Sequence, residues 1–236
     1  LIEWTIDSFK IDKNPILTSK GIDKIKYITK KTGVKIDSIT FDFFMENPFY
    51  KDKKFKLNSL NYLKKILIST KILKIKYIVL PIVDLSSIKK NVEKKKLIRE
   101  LKAFNKLIPN KSKILFETDF NPTKNLEFIK HFDLKKFGIN YDTGNSAHLG
   151  NNVKSEMKTF FKYIDNIHLK DRKKNKTTVN LGKGDFDFKF FFKFIKSKKY
   201  SKNLILQTAR SSNNRHLYLL KKNRSFINSY LNELKT

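Results

Sequence analysis

Seven short apolar runs recur along the chain, and an amphipathic segment follows each one. The runs are Leu1–Ile6, Ile36–Phe44, Tyr77–Val83, Ile114–Phe120, Phe137–Asp142, Asn166–Lys170 and Leu204–Thr208. Most are near-continuous rather than alternating, as in strands of a parallel sheet covered on both faces. The segments after them are Gly21–Thr32, Leu57–Ile72, Ile88–Leu107, Pro122–His131, Val153–Tyr163, Phe186–Ser197 and His216–Leu234, and they have the look of helices. Strand alternating with helix gives right-handed βαβ units and a parallel sheet. A closed (β/α)8 barrel needs eight such units. Seven here predict an α/β TIM barrel forming one domain over residues 1–236, with its first strand and helix upstream of Leu1. The chain opens without Met, inside an apolar run, in keeping with that expectation.

Composition narrows the chemistry. The chain has no cysteine, so disulfides and thiolate metal sites are excluded and any metal must be held by Asp, Glu, His or amide oxygens. No stretch approaches the roughly 20 apolar residues that span a bilayer, and nothing at the start resembles a signal peptide. The expectation is a soluble cytoplasmic protein with no membrane partner, and a homo-oligomer is compatible with it. The net charge of +30 suggests a polyanion partner. However, the excess is Lys spread through every helical segment, not clustered Arg that forks onto phosphate. That spread speaks against nucleic acid, while still favouring anionic small ligands.

Four of the later runs end in a residue able to ligate a metal: Glu117, Asp142, His168 and Gln207. The spacing is about one strand–loop–helix unit per step. If the strands are parallel neighbours, all four converge on one end of one sheet, as a divalent-metal site with oxygen and imidazole ligands. Glu117 and Asp119 sit in an apolar run, where an unpaired charge costs several kcal/mol, on the order of the penalty for a buried ion; a Lys or Arg partner is the structural alternative. Asp142-Thr143-Gly144-Asn145-Ser146 reads as a tight turn that projects Asp142 and Asn145 over the strand end, or as a local Asx-turn. His168 heads a polar strand end, His168-Leu169-Lys170-Asp171-Arg172. His148 lies just beyond the Asp142 turn, within reach of a substrate, whereas His131 and His216 fall in helical segments. Leu181-Gly182-Lys183-Gly184 before a helix can cradle an anion with backbone N–H groups, and Arg210 is a second anion candidate. Glu3 and Asp42 also occupy apolar runs, with Glu3 the better candidate for a substrate contact.

Together these segments resemble the sugar phosphate isomerase/epimerase family, the xylose-isomerase-like TIM barrels. The likeness is carried by Ile2-Glu3-Trp4, Val79 to Asp84, Phe116-Glu117-Thr118-Asp119, Tyr141 to Asn145, His168 to Arg172, Leu181 to Gly184 and Leu206-Gln207-Thr208-Ala209-Arg210. The resemblance implies one divalent cation (Mn2+, Mg2+, Co2+ or Zn2+) held by strand-end Glu, Asp, His and Glu. Three of these fall on Glu117, Asp142 and His168, and the fourth on Gln207. It also implies a sugar or sugar-phosphate substrate and proton transfer next to a carbonyl, with Glu117 as the catalytic base. Family epimerases pair two metal-bound glutamates, and a Gln at 207 can coordinate but cannot act as a base. Glu3, Asn145, His148, Lys170, Arg172, Lys183 and Arg210 are the substrate-binding candidates. Two other readings are a barrel that binds a sugar or anion without catalysis, and an abasic-site nuclease of the endonuclease IV type. The latter would use several strand-end histidines.

Overall fold

The computed structural model describes residues 1–211 and 213–232. Among these described residues nine strands follow in chain order: β1 Ile2–Thr5, β2 Ile36–Thr40, β3 Tyr77–Ile82, β4 Lys113–Thr118, β5 Phe137–Asp142, β6 Ile164–Leu169, β7 Asp171–Arg172, β8 Thr178–Val179 and β9 Asn203–Leu206. The first six and β9 make one seven-stranded sheet in the order β1-β2-β3-β4-β5-β6-β9. β1 to β5 pair in parallel, as do β6 and β9. The helices are α1 Ser19–Thr32, α2 Phe43–Glu46, α3 Lys53–Leu73, α4 Asn91–Ala103, α5 Pro122–Ile129, α6 Thr143–Leu149, α7 Val153–Phe160, α8 Phe188–Ser197 and α9 His216–Asn232. The strand–helix alternation expected from the apolar runs is therefore present, and the sheet holds the seven strands counted. The expected helix to Leu234 is described as far as Asn232, and its last residues lie outside the described ones. No helix among the described residues is long and apolar enough to cross a membrane.

Residue contacts group the chain into two units, one of Leu1–Thr118 with Glu127–Ile139, the other of Asp119–Leu126 with the chain from Asn140 onward. In the first, β2 is buried along its whole length, the mark of a strand covered on both faces. Phe116 on β4 packs on Phe128, Phe132 and Phe137 with ring centroids 4.7–5.7 Å apart. The expected run Ile36–Phe44 overshoots. The ladder continues only to the Phe41 N–H, which donates to Val79 O, and the chain then turns into α2. Asp42 accepts the Thr40 hydroxyl at 2.7 Å at that turn and is not a strand residue.

In the second unit α8 shows how sequence pattern becomes packing. Phe188, Phe191, Phe192 and Ile195 are buried, at the spacing of one helical face, while Lys189, Lys193 and Lys196 are exposed. Burying each such side chain contributes ~1.5–3 kcal/mol. Asp187 starts the helix by accepting the Phe190 N–H at 2.9 Å. Phe191 stacks beside Tyr141 of β5 at 5.9 Å.

Candidate metal centre

Three strand ends supply the centre. Glu117 is the penultimate residue of β4, Asp142 the last of β5 and His168 the penultimate of β6. All three are buried, and one ligand atom from each lies within 4.8 Å of the others. It is the one group of three such residues found among the described residues. Two carboxylates and an imidazole, withdrawn from water and converging, fit a divalent cation. Three of the four side chains expected to converge from the spacing of the apolar runs are thus together.

Polar side chains orient the His168 ring. His168 is fully buried, and its Nδ1 lies 3.1 Å from the Asn140 amide nitrogen. Asn140 Oδ1 in turn accepts from Asn166 Nδ2 at 2.7 Å. An imidazole ligand held by a second layer of polar groups is the usual arrangement around a metal. Sequence reading missed both asparagines. The signal was available, because Asn140 and Asn166 precede Asp142 and His168 by two residues and so share their strand face.

The segment after Asp142 is not the tight turn expected. It is the helix α6, with Asp142 as its N-cap: Oδ1 accepts the Asn145 N–H at 2.8 Å. Thr143 Oγ1 accepts the Lys170 N–H at 2.9 Å and donates to Lys170 O at 2.5 Å, tying α6 to the end of β6. Gly144 is needed for space: a Cβ there would come within 2.7 Å of the Lys170 side-chain stem. Beneath the helix, Glu156 of α7 accepts from Tyr141 at 2.6 Å, Ser146 at 2.5 Å and Asn151 at 2.9 Å. Burial raises the Glu156 carboxyl above its ordinary value, and burial next to Glu156 holds the Tyr141 hydroxyl well above its own.

Gln207 follows directly on β9, and its N–H donates to Leu169 O at 3.1 Å. Its Oε1 accepts from Lys170 Nζ at 3.4 Å, and the same ammonium lies 3.8 Å from Asp142 Oδ2. Lys170 thus stands between Asp142 and Gln207.

The remaining candidates divide. Asn145 is half-buried on α6, beside Asp142. His148, on the same helix, places Nδ1 3.2 Å from Lys176 O, and Arg172 Nε donates to that oxygen at 3.1 Å. Both brace the turn joining β7 to β8. Glu3 is half-buried on β1 opposite Ser38, and Arg210 is exposed. His131 lies in the turn after α5, not in the helix expected, and His216 opens α9; both are exposed. The glycine turn is a correction. Gly182 and Gly184 donate their N–H groups at 2.9 and 2.8 Å to the Asp171 carboxylate, so an internal anion already fills the cradle. Lys183 between them is exposed. Burial raises the Asp171 carboxyl above its ordinary value, and these backbone donors oppose the shift.

Residues 2–229 match the family model described as xylose isomerase-like TIM barrel. The chain belongs to that family, and the expected barrel fold is its fold. Comparison with curated proteins gives no sequence match. Among solved structures it is similar to a xylose isomerase domain protein from Planctomyces limnophilus, at 16% identity and TM-score 0.76, covering 97% of this chain and 96% of that one. It is also similar to the IOLI protein with a bound zinc atom, at 20% identity, TM-score 0.75 and coverage of 97% and 88%. A third is D-psicose 3-epimerase with D-tagatose from Clostridium cellulolyticum H10, at 14% identity, TM-score 0.72 and coverage of 98% and 86%.

Proposed function

We propose that the protein is a sugar or sugar-phosphate isomerase that works with one divalent cation held by Glu117, Asp142 and His168. The observation that carries this reading is the buried convergence of those three residues at successive strand ends in a chain of this family. A similar fold with bound zinc and another with D-tagatose support the cofactor class and the substrate class. When bound, the cation would polarise a substrate carbonyl and stabilise an enediolate as a Lewis acid.

The chain's residues do the rest. Glu117 removes a proton from the hydroxyl-bearing carbon next to the carbonyl and returns it to the former carbonyl carbon, while the hydroxyl proton of the first carbon passes to the former carbonyl oxygen. His168 and Asp142 would hold the cation beside Glu117, with Asn140 and Asn166 fixing His168. Lys170 supplies a cation beside Asp142 for a substrate oxygen. Gln207 cannot serve as a second base, so one carboxylate shuttling a proton suits aldose–ketose isomerisation better than two-base epimerisation. The single imidazole in the metal group disfavours a nuclease built on several histidines.

The test is solvent-deuterium exchange. In D2O with Mn2+ or Co2+, candidate ketoses and ketose phosphates should acquire deuterium at the carbon next to the carbonyl. Glu117→Gln should slow that exchange by about 10²–10⁴-fold, the range for loss of a general base. Exchange that survives Glu117→Gln sinks the assignment, and a protein that binds no divalent ion sinks the metal centre.

A further inference from the structure

We propose that Gln207 is not a metal ligand but a positioning residue for Lys170, and that Lys170 so held selects a substrate bearing an anionic oxygen at the metal. This rests on the metal-centre reading above.

Three contacts support the assignment. The Gln207 carbonyl oxygen, the one atom through which this side chain could ligate, accepts a hydrogen bond from Lys170 Nζ at 3.4 Å. The Gln207 main chain is pinned to β6 through Leu169 O, which keeps position 207 beside position 170. Lys170 is held from the other side as well: Thr143 grips its N–H and its C=O, and its stem lies where Gly144 has no Cβ. A lysine stem packed at both ends loses little further freedom on contacting a ligand, unlike a free surface lysine.

Charge then decides what the site accepts. With a dication bound, the carboxylates of Glu117 and Asp142 balance it, while His168 and Gln207 add nothing. The Lys170 charge is left over, 3.8 Å from Asp142 and partly screened from water. A carboxylate at position 207 would neutralise it, but the carboxamide orients it without doing so. The site therefore carries one net positive charge for the substrate to meet. An acidic sugar, for which glycolate is a small chelating analogue, meets that charge better than a neutral ketose does.

The experiment follows Co2+ absorption in the wild-type protein and in Gln207→Leu and Lys170→Met, each first checked for unchanged melting of the metal-free form. The probes are Co2+ alone, then glycolate and neutral dihydroxyacetone added to the Co2+-loaded protein. In Gln207→Leu, Co2+ affinity should stay within about fivefold of wild type, below the roughly tenfold loss expected when even an outer-layer partner of a ligand is removed. The preference for glycolate over dihydroxyacetone should fall by about fivefold or more in both variants, as expected when a fixed charge near the bound anion is lost or released. A larger loss of Co2+ affinity in Gln207→Leu makes Gln207 a ligand and overturns the proposal. So does a glycolate preference that Lys170→Met leaves unchanged. Wild-type protein that binds no Co2+ overturns the metal-centre reading itself, a distinct outcome.

Discussion

Asp142 divides its carboxylate between two tasks: Oδ1 accepts the Asn145 N–H at 2.8 Å, while Oδ2 lies 4.0 Å from His168 Nδ1. One oxygen starts α6, and the other lies between the His168 ring and the Lys170 ammonium. Two substitutions separate the tasks. Asp142→Ala loses the cap and should cost about 1 kcal/mol of stability. Asp142→Asn keeps an acceptor for Asn145 and should recover most of that loss. Both should bind Co2+ far more weakly than wild type. Urea denaturation of the metal-free forms, paired with Co2+ titration, checks the two effects; equal stability losses in the two variants would refute the division.

Asn140 connects His168 to Asn166. Asn140→Ala leaves every proposed ligand in place but releases the imidazole. Metal affinity should fall by about 10–100-fold, the usual penalty for removing an outer-layer partner. Isothermal titration with Zn2+ or Co2+ measures it, and unchanged affinity would mean that packing alone orients the ring.

Glu156 makes stability depend on pH. Its folded-state pKa is raised by burial above the ordinary 4.5, so the folded protein holds this proton more tightly than the unfolded chain. The associated stability is fully present below about 4.5, and is lost as pH rises through the raised folded value. Glu156→Gln cannot ionise. The stability of wild type relative to this variant should therefore decline as pH rises above 4.5 and level off once Glu156 is ionised in the folded state. Denaturation curves for both proteins between mildly acidic and neutral pH test the sign; a difference that grows with pH contradicts it.

Gly184 has no room for a side chain. An added Cβ would meet the Asp171 carboxylate and come within 2.5 Å of Arg172 O. Gly184→Ala should destabilise the protein by about 1–3 kcal/mol, the range for overpacking a filled site. Thermal melting reads this directly, and a neutral result would show that the loop can shift away from β7.

Much of this arrangement was legible in the sequence because it is set by short-range patterns. Phe137–Asp142 was read with its observed bounds, since a mainly apolar run closed by the turn signal Asp-Thr-Gly-Asn has few alternatives. The convergence of Glu117, Asp142 and His168 followed from their spacing in a parallel α/β chain. The helix α6 was not legible. Its sequence, Thr-Gly-Asn-Ser-Ala-His-Leu, has weak helix propensity, and support comes from Asp142, from Glu156 on the next helix and from Lys170 just after β6. The β7–β8 ribbon was missed because strands of two residues carry no periodicity. The Gly182–Gly184 turn was read as open to an external anion because the partner of its N–H groups, Asp171, lies on the far side of that ribbon.

That internal carboxylate has a consequence for how a substrate would be received. Loops that wrap phosphate with bare N–H groups commonly wait for their guest, and part of the binding energy goes into arranging them. Here the guest is tethered to the chain, so its effective concentration does not depend on any metabolite. The loop takes its shape during folding, leaving an incoming ligand nothing to arrange there, and an anionic ligand would have to be recognised by side chains rather than by this stretch of main chain.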